Sequence, residues 1–93
     1  MSEYVTVEVR PTADPDTLEL VTNQTLTDDE REVYPDAAAG NEGSPLAQAL
    51  FTAVEGLAAL TITAHSLHVR REPGLPWEAI VDDVRDALRD FFL

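Results

Sequence analysis

His65 and His68 are the two histidines of this 93-residue chain. Imidazole and carboxylate together suit ferrous iron, so the pair is the first place to look for a metal. On one strand, three positions apart, their side chains leave from opposite faces and cannot share an ion. With His65 in a turn the two can approach, but a site then needs a carboxylate from elsewhere. Two part-exposed histidines at a sheet edge are the simpler expectation, and no metal ligand is assigned. Asp14 and Asp16 flank Pro15, and two carboxylates can hold a divalent cation weakly. Calcium needs six or more oxygens and magnesium a near-ideal octahedron, and neither the EF-hand spacing nor its glycine is present. An Asx-turn accounts for the pair. Ser44 and Ser66 lie in no G-x-S-x-G elbow, and Ser66 faces away from its neighbour His65 on a strand. There is no G-x-G-x-x-G and no P-loop. Trp77, Phe91 and Phe92 lie on or beside a helical stripe and are expected in the core. No catalytic residue and no cofactor are assigned, and an enzyme is not expected.

Composition narrows the classes further. The chain has no cysteine, which removes disulfides, thiolate nucleophiles, zinc fingers and thiolate-held iron–sulfur clusters. Eighteen acidic residues stand against six basic ones, all arginine, for a formal net charge of -12. Such a surface repels phosphate, so neither nucleic acid nor an anionic membrane is an expected partner. Hydrophobic residues make up 44% of the chain, enough for one modest core rather than a disordered acidic tail. The uncharged stretch from Gly43 to Val54 is too short and too polar for a bilayer span. Met1-Ser2-Glu3-Tyr4 has neither the basic nor the apolar segment of a secretory leader, so a cytoplasmic protein is expected.

The elements that must position these residues follow from periodicity. Tyr4 to Arg10 alternates, with Val5, Val7 and Val9 on one side, as a half-buried strand does. Pro11 to Asp16 is a proline–aspartate turn, and Thr17 to Val21 is a second strand that pairs back as a hairpin. Thr27 to Glu30 fits a helix capping box, but Pro35 leaves little room for a helix. A short edge strand at Glu32-Val33-Tyr34 is preferred, and Asp36 to Gly43 is expected as an exposed loop. Ser44 as N-cap and Pro45 at the first position open a helix carrying Leu46, Leu50, Ala53 and Val54, with Gly56 placed to end it in a left-handed cap. Leu57 to Ile62 and Ser66 to Arg71 are strands joined by a turn at Thr63-Ala64-His65. Glu72 to Pro76 breaks the sheet. Trp77, Ile80, Val81, Val84, Leu88 and Phe91 form the apolar stripe of a final helix. On its exposed side Asp82 and Asp86 can pair with Arg85 and Arg89. The expected fold is a single α+β domain over residues 1–93. It is a two-layer sandwich, with a mainly antiparallel sheet of four to five strands and two helices on one face, in the order β-β-(β)-α-β-β-α.

Three segments, in order, resemble one family. They are Thr12-Ala13-Asp14-Pro15-Asp16-Thr17-Leu18-Glu19-Leu20, the helix from Ser44-Pro45-Leu46-Ala47 to Gly56-Leu57, and Trp77 with the helix ending Asp90-Phe91-Phe92. Together, from Tyr4 to Phe92, they are similar to the N-terminal domain of Nfu-type (NifU-related) iron–sulfur scaffold proteins. The Ser-Pro-Leu-Ala helix with its trailing glycine is the most specific part. The resemblance implies a small α+β domain set ahead of a separate C-terminal domain, whose C-x-x-C pair holds the cluster. Without cysteine, cluster ligation carries over to no residue here. Thr63-Ala64-His65-Ser66 departs from the family, which usually has an Asp-aromatic pair before the last strand, and the loop before Ser44 is slightly longer.

What the resemblance implies for function is a non-catalytic accessory role in iron–sulfur assembly, docking to assembly proteins or apoprotein clients. The charge adds that those partners should carry basic surfaces, reached faster by long-range attraction. The acids expected to meet them are Asp28, Asp29, Glu30, Glu78, Asp82, Asp83, Asp86 and Asp90. A solvated helix face explains the same acids without a partner. An acidic interaction module outside that pathway and a weak Fe(II) binder using carboxylates and histidine stay open as alternatives.

Overall fold

The computed structural model describes residues 5–92. The expected start of the first strand at Tyr4 lies outside the described residues. β1 (Val7–Pro11) and β2 (Thr17–Thr22) form the expected hairpin, with Val9 opposite Leu20 and Pro11 opposite Leu18. Pro11 stays within the ladder because β1 is an edge strand, where a missing N–H is tolerated. β3 (Glu32–Tyr34) is the short strand at the opposite edge. Thr27 opens no helix, its hydroxyl accepting from the Asp29 N–H at 3.1 Å in a local turn.

Asp36 to Gly43 corrects the expectation of a loop. It contains a one-turn helix, α1 (Ala37–Asn41), whose N-cap Asp36 accepts from the Ala39 N–H at 2.9 Å. Three alanines and a glycine carry almost no hydrophobic signal, which hid it from periodicity. The helix α2 (Pro45–Ala53) is capped by Ser44 as expected, with the hydroxyl accepting from the Ala47 N–H at 3.3 Å. Its buried residues are Leu46, Ala47 and Leu50, while Ala53 is exposed. The cap at its C-terminus is Val54. Gly56, with φ +84°, instead turns the chain into the next strand.

β4 (Leu57–Ile62) and β5 (Ser66–Arg71) pair antiparallel. A register shift between Leu57 and Ala59 lets Leu57, Leu60 and Ile62 all be buried although their spacing is not strictly two. The sheet order is β1-β2-β5-β4-β3, antiparallel throughout. The chain must therefore travel from β2 to the far edge. It crosses the β4–β5 turn, tied there by Leu26 N–H to the Ala64 carbonyl at 2.7 Å and Thr22 N–H to the His65 carbonyl at 2.8 Å.

The last helix, α3 (Trp77–Phe92), buries Ile80, Val81, Val84, Ala87 and Leu88. One core joins these to Leu46 and Leu50 of α2 and to Leu20, Leu60, Ile62, Leu67 and Val69 of the sheet. Each fully buried aliphatic side chain contributes roughly 1.5–3 kcal/mol. The stripe ends differently from expectation: Phe92 packs on the core, and Phe91 is 43% exposed. The element order is thus β-β-β-α-α-β-β-α, an α+β sandwich with one more helix than expected.

Candidate docking surface

The Asp14–Asp16 turn is held as an Asx-turn. Asp14 Oδ1 accepts from the Asp16 N–H at 2.9 Å, and Oδ2 from the Thr17 hydroxyl at 2.9 Å. That backbone N–H, with the hydroxyl, holds the Asp14 carboxyl below its ordinary 3.8. Asp16 is engaged elsewhere, accepting from Arg71 Nε at 3.1 Å. The Arg71 guanidinium also lies 4.9 Å from the centre of the Trp77 ring and donates to the Leu75 carbonyl at 2.7 Å. Trp77 Nε1 donates to the Pro15 carbonyl at 3.2 Å. This knot fastens Glu72–Pro76, and with it the start of α3, onto the β1–β2 turn. The sequence shows only a sheet-breaking segment there, because the partners are 55 and 62 positions apart.

His65 lies in the β4–β5 turn, its Nδ1 3.0 Å from the Gln24 carbonyl, and so tethers the crossing segment. His68 lies on β5 beside Glu19 of β2, Nε2 to carboxylate 3.9 Å. Its register row runs Arg10–Glu19–His68–Thr61–Val33 across the five strands, on the sheet face away from Leu67 and Val69. Among the described residues no three His, Asp or Glu side chains are grouped as a metal ion requires. Ser66 is 2.6 Å from the Thr63 hydroxyl, a turn contact. Ser44 meets Tyr34, its N–H donating to the phenol oxygen at 3.2 Å, and the Tyr34 hydroxyl also donates to Glu32. Burial works to raise the Glu32 carboxyl, but hydrogen bonds involving Ser44, Thr27 and Tyr34 outweigh it and hold Glu32 below its ordinary value. This cluster pins the β3 edge to the start of α2.

Of the acids expected to meet partners, five lie on α3. Glu78, Asp82, Asp86 and Asp90 are exposed and Asp83 is half-buried. Asp86 pairs with Arg89 at 2.9 Å, while no Asp82–Arg85 pair forms among the described residues. Asp28, Asp29 and Glu30 are exposed in the β2–β3 connection, on a different element. Shallow grooves border α3. One of about 330 Å³ runs between α3 and the sheet edge, lined by Val9, Leu18, Trp77 and Val81 with Glu78, Asp82 and Arg85. A second, of about 250 Å³, lies between α2 and α3, where Ala49, Ala53, Ala87 and Asp90 surround Phe91. The third lies at the start of α3, near Glu55 and Asp83. Asp28 to Glu30 line none of these three.

Helices stacked on one antiparallel sheet, with an acidic outer helix, define a small α+β sandwich. The chain belongs to the Nfu/NifU scaffold family: the model of the N-terminal part of scaffold protein Nfu/NifU matches residues 7–93. That family is associated with iron–sulfur cluster assembly and is generally non-catalytic. The fold is similar to the solution NMR structure of a NifU-like protein from Saccharomyces cerevisiae, with a TM-score of 0.78 at 17% identity over 96% of this chain and 79% of that one. It is also similar to the crystal structure of protein SAV1430 from Staphylococcus aureus, with a TM-score of 0.71 at 13% identity over 89% of this chain and 98% of that one. No curated protein matches in sequence. Among the described residues no helix is long and apolar enough to cross a membrane.

Proposed function

We propose that this chain is a cytoplasmic, non-catalytic accessory domain of iron–sulfur cluster assembly. It docks to assembly proteins or apoprotein clients through the acidic side of α3. The observation that carries the reading is the division of α3. Ile80, Val81, Val84, Ala87 and Leu88 are committed to the core, so Glu78, Asp82, Asp83, Asp86 and Asp90 are presented on a backbone that cannot rearrange cheaply. A fixed row of like charge steers a basic surface and sets its orientation more than it adds raw affinity. The chain has no cysteine, so the cluster in this reading stays on the partner and never becomes a ligand set of this domain. Asp28, Asp29 and Glu30 extend the same charge on the β2–β3 connection.

The test is a tagged pull-down from the source organism's extract, washed at moderate salt because a chain of net charge -12 collects basic bystanders when screening is weak. Enrichment of cysteine desulfurase, a scaffold protein or iron–sulfur apoenzymes is the expected result. Specific capture of proteins unrelated to clusters would move the function outside the pathway.

A further inference from the structure

We propose that the groove at the start of α3 receives one arginine or lysine side chain of a partner protein, an inference that rests on the docking function proposed above and gives it an anchor. The groove holds about 220 Å³, with an apolar floor of Leu75, Pro76, Ala79 and Ile80 and two carboxylates, Glu55 and Asp83. No cation lines it, whereas Arg85 stands beside Glu78 and Asp82 in the groove at the sheet edge. Among the described residues neither Glu55 nor Asp83 has an ion pair, while Glu8, Asp16 and Asp86 are each held by an arginine. A long basic side chain has the matching two-part chemistry: an aliphatic stem for the floor and a cationic head for the carboxylates. A purely apolar guest would strip water from both carboxylates and give nothing back. A second copy of this chain brings another net charge of -12 and is repelled.

The walls stand before any guest arrives. Leu75 rests on Gly56, where a Cβ would fall 2.2 Å from the leucine Cδ1. The Gly56 carbonyl accepts from the Glu72 N–H at 2.7 Å, and the Leu75 carbonyl is held by Arg71 at 2.7 Å. Arg71 is in turn fixed by Asp16 and Trp77. A preformed wall lowers the ordering cost of binding. The knot around Arg71 thereby acquires a use beyond holding a loop.

The test is an NMR titration of the full chain with the blocked tripeptide Gly-Arg-Gly, beside the isosteric peptide in which uncharged citrulline replaces arginine. Saturable shifts are expected at the amides of Gly56, Leu75, Ala79 and Asp83, with a dissociation constant on the order of 1 mM, and none with citrulline. Glu55→Gln combined with Asp83→Asn should weaken binding about tenfold or more, while neutralising Glu8 and Glu42, two exposed acids that line no groove of α3, should leave it within about twofold. Glu55→Gln alone, in an exposed turn, serves if the double variant fails to fold. Equal shifts with citrulline, or shifts spread evenly over the acids of α3, would overturn the site. So would the same shifts on raising protein concentration alone, which would mean a second copy fills the groove. The two proposals fail separately. Capture of cluster-assembly proteins with a silent groove sinks the anchor alone, and titration at these amides with capture of unrelated proteins sinks the pathway alone.

Discussion

Gly56 and Glu32 are single residues whose contributions can be measured. Gly56 has φ +84° and Gly74 φ +85°, both in the left-handed region. Alanine at either position should cost about 1–2 kcal/mol for that backbone conformation. Nothing lies within 4 Å of a Cβ at Gly74, whereas one at Gly56 must push Leu75 aside. Gly56→Ala should therefore be the more destabilising in urea unfolding, and equal losses would mean Leu75 moves freely. Glu32 binds its proton less readily folded than unfolded. Its contribution to stability is full above the ordinary value of 4.5 and is lost as pH falls through the lower folded value. Between about pH 7 and about pH 3 the native chain should lose more stability than Glu32→Gln, which keeps the acceptor for Tyr34 and removes the charge. Parallel losses would remove Glu32 from the account of acid sensitivity. The left-handed Gly56 is legible as a helix-ending glycine, but its contact with Leu75 and the Glu32 effect are not. From the sequence Glu32 is only an edge-strand residue, and its bond with Tyr34 depends on where Ser44 arrives from ten positions away.

At the scale of elements, α2 and α3 are stable for different reasons. α2 is short and depends on its start, so Ser44→Ala should cost about 1 kcal/mol through the lost cap. α3 depends on its buried stripe, so Leu88→Ala, at a fully buried position, should cost about 2–5 kcal/mol. Arg89→Ala removes only an exposed pair with Asp86 and should cost no more than about 0.5 kcal/mol. Thermal unfolding of the three variants checks the ranking, and an Arg89 effect rivalling Leu88 would contradict it. Both helices were readable in advance because a cap residue followed by proline and a three-to-four residue stripe are local signals. The end of the stripe was not. Phe91 and Phe92 are adjacent and equally apolar, and only the position of the sheet beneath selects Phe92 for the core. The alanine-rich α1 escaped for the opposite reason, since its packing beside α2 involves a buried glycine, Gly40 against Phe51.

For the whole molecule the dominant quantity is a net charge of -12. Like charges on a compact body repel, so raising salt from about 0.05 M to about 0.5 M should stabilise the fold and slow capture of a basic partner. Neutralising Asp82 and Asp86 together should cut the association rate several-fold at low salt, with a smaller effect on dissociation. Stopped-flow measurement against a captured partner would test it, and an unchanged rate and salt slope would remove this face of α3 from the encounter. Asp82 and Asp86 lie one turn apart on the exposed side of α3, and Asp86 also pairs with Arg89. Asp28, Asp29 and Glu30 belong to another element, so charge-neutralising them separately distinguishes general attraction from docking on α3.

By itself the sequence determined the class of protein and most of its elements. The absence of cysteine, the charge, the alternation in the hairpin, the capped helix and the amphipathic last helix are all properties of composition or of neighbours within about four positions. Tertiary structure alone decided the sheet order, which sends β3 to the far edge and makes His65 a tether for the crossing chain. It decided the shift in β4 that turns three apolar residues inward despite their irregular spacing. It also tied Asp16, Arg71 and Trp77 together behind Leu75, which lines a groove containing two carboxylates and no lining cation. The physical reason is common to all three. Local signals report which backbone conformation a segment prefers, while pairing across tens of residues is chosen by what buries the shared core best, and no short window of sequence contains that comparison.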